Sequence, residues 1–228
     1  MLIKDLDWSA IRQDLSGKGY TKIKNVLEPG HAEIIANAVL NETTWDLCYL
    51  SNDGPVSITH NELQEYTGND VINLQNNILT KAKTGFSYYY YRTDFVNNTN
   101  PMLKNFYNYL CGDGFLGFAR YITDELSINT VNGQLTCYRP GCFLKRHNDT
   151  TSKEHRIVAY VFGFTPKWHN DWGGLLLIEN ENRNIIDSYK PEFNTLTIFK
   201  VPTWHSVSQV ANYAQGARYT ITGWVLAP

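Results

Sequence analysis

His147 and Asp149 stand two residues apart in Arg146-His147-Asn148-Asp149, shortly after the turn signal Pro140-Gly141. In an extended segment, residues two apart point to the same side, so this imidazole and carboxylate could reach one metal ion together. Completed by a second imidazole on one octahedral face, the pair makes a donor set suited to non-haem iron(II). It leaves adjacent positions open for a co-substrate and dioxygen. Alone, the triplet is weak, because His-x-Asp arises by chance and fits a surface loop equally well. Three histidines downstream could supply the second imidazole. His155 lies beside Lys153-Glu154 and reads as a solvated turn. His169, within Lys167-Trp168-His169-Asn170-Asp171, reads as a surface loop. His205 sits in Val201-Pro202-Thr203-Trp204-His205-Ser206-Val207, a turn between two apolar strands whose backbone Pro202 restricts. It is either a ligand or a satisfied structural histidine.

Arg218-Tyr219-Thr220-Ile221-Thr222-Gly223-Trp224 alternates as a strand does, with Arg218, Thr220 and Thr222 on one face and Tyr219 and Ile221 on the other. The polar face is either solvated or the lining of a pocket. In a pocket, Arg218 could pair in bidentate fashion with a dicarboxylate, and Thr220 could add a hydroxyl from the same side. Tyr138, nine residues before His147, could donate its hydroxyl to a metal-bound 2-oxo acid or serve as a core tyrosine. Tyr160, in Arg156-Ile157-Val158-Ala159-Tyr160, is a weaker candidate for the carboxylate end of the same ligand.

The elements that must hold these residues change character along the chain. Leu6 to Leu15 reads as a short amphipathic helix and Tyr20–Val26 as a strand. Pro29 can open a helix with the stripe Ile34, Ile35, Ala38 and Val39, and Val71, Leu74, Ile78 and Leu79 mark another. Pro101 opens a third stripe, Leu103, Phe106, Tyr107 and Leu110, which Gly112 stops. From Glu125 onward short strands follow closely: Ser127–Val131, Gln134–Tyr138, Arg156–Phe162, Gly174–Ile178, Ile185–Tyr189, Thr195–Val201, Val207–Val210 and Arg218–Val225. Turn signals at Asn132-Gly133, Pro140-Gly141, Thr165-Pro166, residues 179–184 and Gly216 separate them. The expectation is a helical layer packed on a β-barrel or double-sheet core.

The 228 residues suit one sizeable core, and 43% hydrophobic with 18% charged residues indicates a globular chain. A net charge of −2 without a basic block argues against a nucleic-acid or anionic-membrane partner. Charges among residues 1–7 argue against a secretory leader, and no stretch approaches the ~20 apolar residues of a membrane span. Four cysteines without a C-x-x-C pair are expected to be reduced, which places the protein in the cytoplasm.

More than ligands is shared with a known family. Tyr138-Arg139-Pro140-Gly141, His147-x-Asp149, Ala159-Tyr160-Val161-Phe162, Trp172-Gly173-Gly174-Leu175, Phe193-Asn194-Thr195-Leu196, Val201-Pro202-x-x-His205-Ser206-Val207 and Arg218-Tyr219-Thr220-Ile221-Thr222-Gly223-Trp224 follow in order. Together they resemble the iron(II)/2-oxoglutarate-dependent oxygenase superfamily, and particularly its prolyl-hydroxylase branch, the bacterial relatives of the yeast ribosomal-protein prolyl hydroxylases. The resemblance covers residues 125–228. The first half is similar only loosely, through Gly19-Tyr20, Asn25-Val26-Leu27 and the aromatic segment Phe86–Tyr91.

The resemblance implies a mainly β protein with a double-stranded β-helix (jelly-roll) core and supporting helices packed on one sheet. It would be a single oxygenase domain over 1–228, with 1–124 the largely helical support and 125–228 the core carrying the site. His147, Asp149 and His205 would ligate Fe(II). Arg218 with Thr220 would bind the distal carboxylate of 2-oxoglutarate, Tyr138 would steady its metal-binding end, and Tyr160 would assist. Dioxygen is then the second co-substrate, and ascorbate is admitted as a reductant. Related halogenases lack a carboxylate at the Asp149 position, so hydroxylation is implied here. The implied substrate is a prolyl residue in a protein or peptide, a translation component among the options. A free amino acid or small metabolite, a non-catalytic jelly-roll binding module and a zinc hydrolase are the competing readings. The sequence leaves the oligomeric state open.

Overall fold

The computed structural model describes residues 1–42 and 44–228. Its elements in chain order are α1 (Trp8–Lys18), β1 (Tyr20–Lys24), α2 (Pro29–Leu40), β2 (Asp46–Leu50), β3 (Pro55–Ile58), α3 (His60–Gln64), α4 (Gly68–Ala82) and β4 (Tyr88–Asp94). There follow α5 (Pro101–Leu110), α6 (Asp113–Thr123), β5 (Thr130–Tyr138), β6 (Phe143–His147), β7 (His155–Phe164), β8 (Leu176–Glu179), β9 (Ile185–Tyr189), β10 (Phe193–Lys200), β11 (Trp204–Val207) and β12 (Arg218–Ala227).

Local signals account for several boundaries. The Asp7 side chain accepts from Ala10 N to start α1, and Gly19 ends it in the left-handed region. Pro29 and Pro101 open α2 and α5 at the first turn. Thr67 and Asp70 form a reciprocal capping box that starts α4.

Hydrogen-bonded strand order runs β1-β10-β7-β12-β5-β4 and continues β6-β11-β8-β9, all antiparallel, with the β2–β3 hairpin attached to β4. β4 makes the bend. Tyr91–Asp94 pair with β5, whereas Tyr88 and Tyr89 pair with β6. The sheet thereby curls into two halves that face each other, the arrangement of a double-stranded β-helix. Ala159, Val161 and Phe199 of the first half meet Ile178, Leu176 and Val207 of the second in one buried cluster between them.

Strand alternation sends the other side chains of the first half outward to the helices. Leu135, Cys137, Val158, Tyr160, Phe162, Leu196, Ile198, Ile221 and Val225 join a second cluster with the buried faces of α1, α2, α5 and α6. Helices thus cover one sheet, as expected. α4 lies elsewhere, over β2 and β4, and buries Ile78 alone of its expected stripe, with Val71 and Leu79 exposed. Among the described residues no helix is long and apolar enough to cross a membrane, and all four cysteines are unpaired.

The expected turn at Asn132-Gly133 is not a turn. β5 runs unbroken through it, pairing Asn132 with Trp224 and Gly133 with Gly223. The reason is close approach. A Cβ on Gly133 would lie 2.5 Å from the Tyr160 hydroxyl, and one on Gly223 would lie 2.0 Å from the Asn132 carbonyl oxygen. α3, α6, β2, β3 and β6 are additions to the expected elements. The strand expected at Val207–Val210 is instead β11, Trp204–Val207, which takes His205 out of the expected turn. The apolar period of α6 (Phe115, Leu116, Ala119, Ile122) is interrupted to the eye by Gly114 and Gly117.

Candidate metal and co-substrate site

β6 ends at His147, and the chain turns at once. Asp149 adopts φ +62°, a left-handed conformation that aspartate tolerates better than most residues. His147 and Asp149 therefore converge through a strand end and a turn, not through the extended i, i+2 geometry expected. Arg156 holds that turn: Nη1 donates to the Asp149 carbonyl at 3.1 Å, Nη2 lies 2.8 Å from Glu154, and its guanidinium stacks 3.6 Å above the Trp224 ring.

β11 brings His205 opposite His147 in register. Potential ligand atoms of His147, Asp149 and His205 all lie within 4.8 Å of one another. His147 Nε2 is 3.2 Å from one Asp149 oxygen and His205 Nε2 is 3.5 Å from the other; the two imidazoles sit 4.1 Å apart. Both histidines turn their second nitrogen away. Nδ1 of His147 is 3.0 Å from the Lys145 carbonyl, and Nδ1 of His205 is 2.8 Å from that of Thr203. A proton on each Nδ1 leaves the Nε2 lone pairs directed at the shared space.

Electrostatics prepare the same space for a cation. Burial, then the neighbouring His147, push the pKa of His205 down to about 4 against the pull of Asp149, so the ring is neutral near pH 7. Burial opposes the Asp149 charge, but the two neighbouring imidazoles outweigh it and hold the pKa down at about 2, so the carboxylate is ionised. The buried indole N–H of Trp224 also faces this carboxylate, without making a hydrogen bond.

From the cluster a cavity of about 240 Å³ runs between the two halves of the sheet to Arg218. Arg218, Thr220, Thr222 and Trp224 line it from β12, and Thr136 and Tyr138 from β5, so the polar face of the Arg218 strand is a pocket wall. Arg218 is 5% exposed. Its Nη1 donates to the Gly174 carbonyl at 2.7 Å, while Nε has no partner. Among the described residues no carboxylate pairs with it, which leaves a buried cation with an unsatisfied donor. Thr220 shares a hydrogen bond with Thr136 Oγ1. Tyr138 stacks on Tyr90 at 5.3 Å, and burial first, then Tyr90, raise its pKa well above the ordinary tyrosine value; it is a proton donor at any working pH.

Tyr160 is a correction. It lies on the opposite face of β7, fully buried against Phe115 and Phe162, and its hydroxyl donates 2.8 Å to the Asn132 carbonyl. Parity decides this, because Ala159 and Val161 are the β7 residues on the cavity side. His155 and His169 are exposed and outside the cluster. The segment Phe86–Tyr91 contributes Phe86, Tyr88 and Tyr90 to the cavity mouth as an aromatic run, with the Phe86 ring 5.7 Å from His147. Trp224 and Thr136 were not singled out beforehand. Trp224 continues the period-2 face of Arg218, whereas Thr136 becomes visible only through its pairing with Thr220.

The curled sheet is a double-stranded β-helix, and it brings two imidazoles, one carboxylate and a buried arginine around one cavity, a donor set that could hold a non-haem metal ion. Residues 133–226, which carry the cluster and Arg218, match the sequence model of the 2OG-Fe(II) oxygenase superfamily. Over 127 residues the chain is 29% identical to an uncharacterized PKHD-type hydroxylase of Synechocystis sp., covering 49% of this chain and 40% of that relative's length. Among solved structures, a prolyl hydroxylase of Trichoplax adhaerens, in complex with a hypoxia inducible factor peptide fragment, superposes with TM-score 0.67 at 18% identity, covering 98% of this chain and 94% of that one. A Pseudomonas putida prolyl-4-hydroxylase gives 0.62 at 15% identity, covering 97% and 99%. At these identities the two structures share the fold.

Proposed function

We propose that this chain is an iron(II)- and 2-oxoglutarate-dependent oxygenase that hydroxylates an unactivated C–H bond, with a prolyl residue of a protein or peptide as its target. The observation that carries the reading is Arg218. A buried guanidinium with a partnerless Nε lines the same cavity as three clustered metal donors, and a dicarboxylate with a 2-oxo acid end satisfies both.

His147, Asp149 and His205 would hold the iron(II). Arg218, helped by Thr220, would take the distal carboxylate, and the Tyr138 hydroxyl would donate to the metal-binding end. Bound iron supplies what these side chains lack, the activation of dioxygen coupled to conversion of 2-oxoglutarate to succinate and carbon dioxide. The chain's own contribution is to fix the co-substrate between the two halves of the sheet and to exclude water. A solvated-strand or binding-module reading leaves the buried cation without purpose.

For the substrate, the rest of the cavity wall includes Tyr88, Tyr90, Leu144, Phe199 and Trp224. Apart from the three donors and Arg218, none of the lining residues is charged, which suits a neutral apolar ring over a cationic or anionic target. The peptide bound to the Trichoplax hydroxylase supports a peptide target here too. A prolyl residue of a translation component is the first to test, on the resemblance to the ribosomal-protein hydroxylases.

Substrate trapping followed by mass spectrometry is the test, with the expected result a one-oxygen gain on a defined prolyl residue and equimolar succinate. A one-oxygen gain on a free amino acid and on no protein would move the target to small metabolites. No succinate with any substrate, from iron-loaded protein, would overturn the oxygenase reading.

A further inference from the structure

We propose that Glu179 is a positioning residue of the metal centre, tying together the strands that carry His147 and His205 from the outer face of the sheet. The proposal rests on reading His147, Asp149 and His205 as metal ligands. The need for such a tie comes from the backbone. The β6–β11 ladder has two register pairs, His147 with His205 and Leu144 with Val207, and the register shifts between them. A bulge beside a ligand loosens the hydrogen-bond ladder at the place where two imidazoles must keep a fixed separation.

Strand parity turns the neighbours of each ligand outward. Trp204 pairs with Glu179 across β11 and β8, while His205 pairs with the buried Ile178 on the inner side. On the outer face one Glu179 oxygen accepts from Ser206 Oγ at 2.7 Å, and the other forms an ion pair with Arg146, 3.1 Å from Nε but without hydrogen-bond alignment. Arg146 stacks 3.7 Å over the Trp204 ring and donates Nη2 to the Asn180 carbonyl at 3.0 Å. Arg146 immediately precedes His147, and Trp204 and Ser206 flank His205. One carboxylate therefore holds the outward neighbours of both imidazoles.

Desolvation gives the tie its stiffness. The Glu179 side chain is 9% exposed and that of Arg146 19%, so neither exchanges its partner readily for water. Metal donors tolerate displacements of only ~0.2 Å, and losing a residue that orients a ligand typically costs ~10–100-fold in metal affinity.

Anaerobic Co(II) titration of the full chain, followed by the visible bands of the bound ion, tests this without turnover. We expect Glu179→Ala to weaken Co(II) binding by roughly 10–100-fold. Glu179→Gln, whose amide oxygen can still accept from Ser206 although the ion pair with Arg146 is lost, and Ser206→Ala should weaken it less. His205→Ala serves as the reference and should abolish the bands. Thermal unfolding of the metal-free proteins separates positioning from bulk stability. Wild-type Co(II) affinity in Glu179→Ala, with His205→Ala deficient, would overturn the role of Glu179 and leave the metal centre standing. If Glu179→Ala fails to fold, wild-type affinity in both Glu179→Gln and Ser206→Ala overturns it. A wild-type protein without Co(II) bands, or one indistinguishable from His205→Ala, overturns the metal reading and this role together.

Discussion

The two halves of the curled sheet do different work by different means. The half β1-β10-β7-β12-β5-β4 is packed on both faces, against helices outside and the opposing sheet inside. It carries Arg218, Thr220 and Tyr138, the groups suited to an organic dianion. The half β6-β11-β8-β9 lies outside the cluster that α1, α2, α5 and α6 form, and α4 meets it at β6, where Lys145 Nζ donates to the Ala82 carbonyl. It ends in the exposed Ile185 and Ile186 and carries the two imidazoles. A buried cation needs a stiff, dry wall to keep water from satisfying it, and double-sided packing provides that. The candidate donors His205 and Asp149 have buried side chains as well, but their use depends first on placement. There, strand pairing, a left-handed Asp149 and a side-chain network on the outer face suffice.

That contrast can be broken at either end. The largest effect is expected for Asp149→Ala or His205→Ala, which should abolish substrate-coupled succinate production with circular dichroism unchanged; full activity in either would remove the metal half of the comparison. Next, Arg218→Ala should raise the 2-oxoglutarate KM about 10–150-fold, as for loss of a charge-assisted pair of about 1.5–3 kcal/mol, with Arg218→Lys in between. An unchanged KM would show the dianion binding elsewhere.

Gly223→Ala probes the double-sided packing itself. Its Cβ would meet the Asn132 carbonyl oxygen at 2.0 Å, so thermal unfolding should report a loss of at least about 3 kcal/mol. Tyr160→Phe should cost about 1–3 kcal/mol by leaving the Asn132 carbonyl unpaired in the core, while the 2-oxoglutarate KM stays unchanged. A KM shift without a stability loss would return Tyr160 to the co-substrate. The smallest change is expected for Phe86→Ala. Its ring is 44% exposed at the cavity mouth, so stability should hold while KM for a peptide substrate rises.

Legibility differed along the chain for physical reasons. The alternation in Arg218–Trp224 revealed its two faces because β12 has a different environment on each side, helices against one and the cavity against the other. The α4 stripe misled in its depth of burial, since an amphipathic period reports a capacity to pack and not the size of the partner. Asn132-Gly133 misled more completely. The same dipeptide that favours a hairpin also serves where a strand must pass beneath a tyrosine hydroxyl, and Tyr160 lies 28 residues away in sequence.

By itself the sequence determined the chemistry on offer: two imidazoles, a carboxylate, an arginine and a tyrosine, set on strands whose period-2 pattern is a property of the local backbone. Tertiary structure alone decided which histidine joined His147 and Asp149, that Arg218 is buried with no carboxylate partner among the described residues, and that Tyr160 faces the helices. Those outcomes depend on strand register and on which sheet lies across the cavity, and both are set by contacts between residues far apart in the chain.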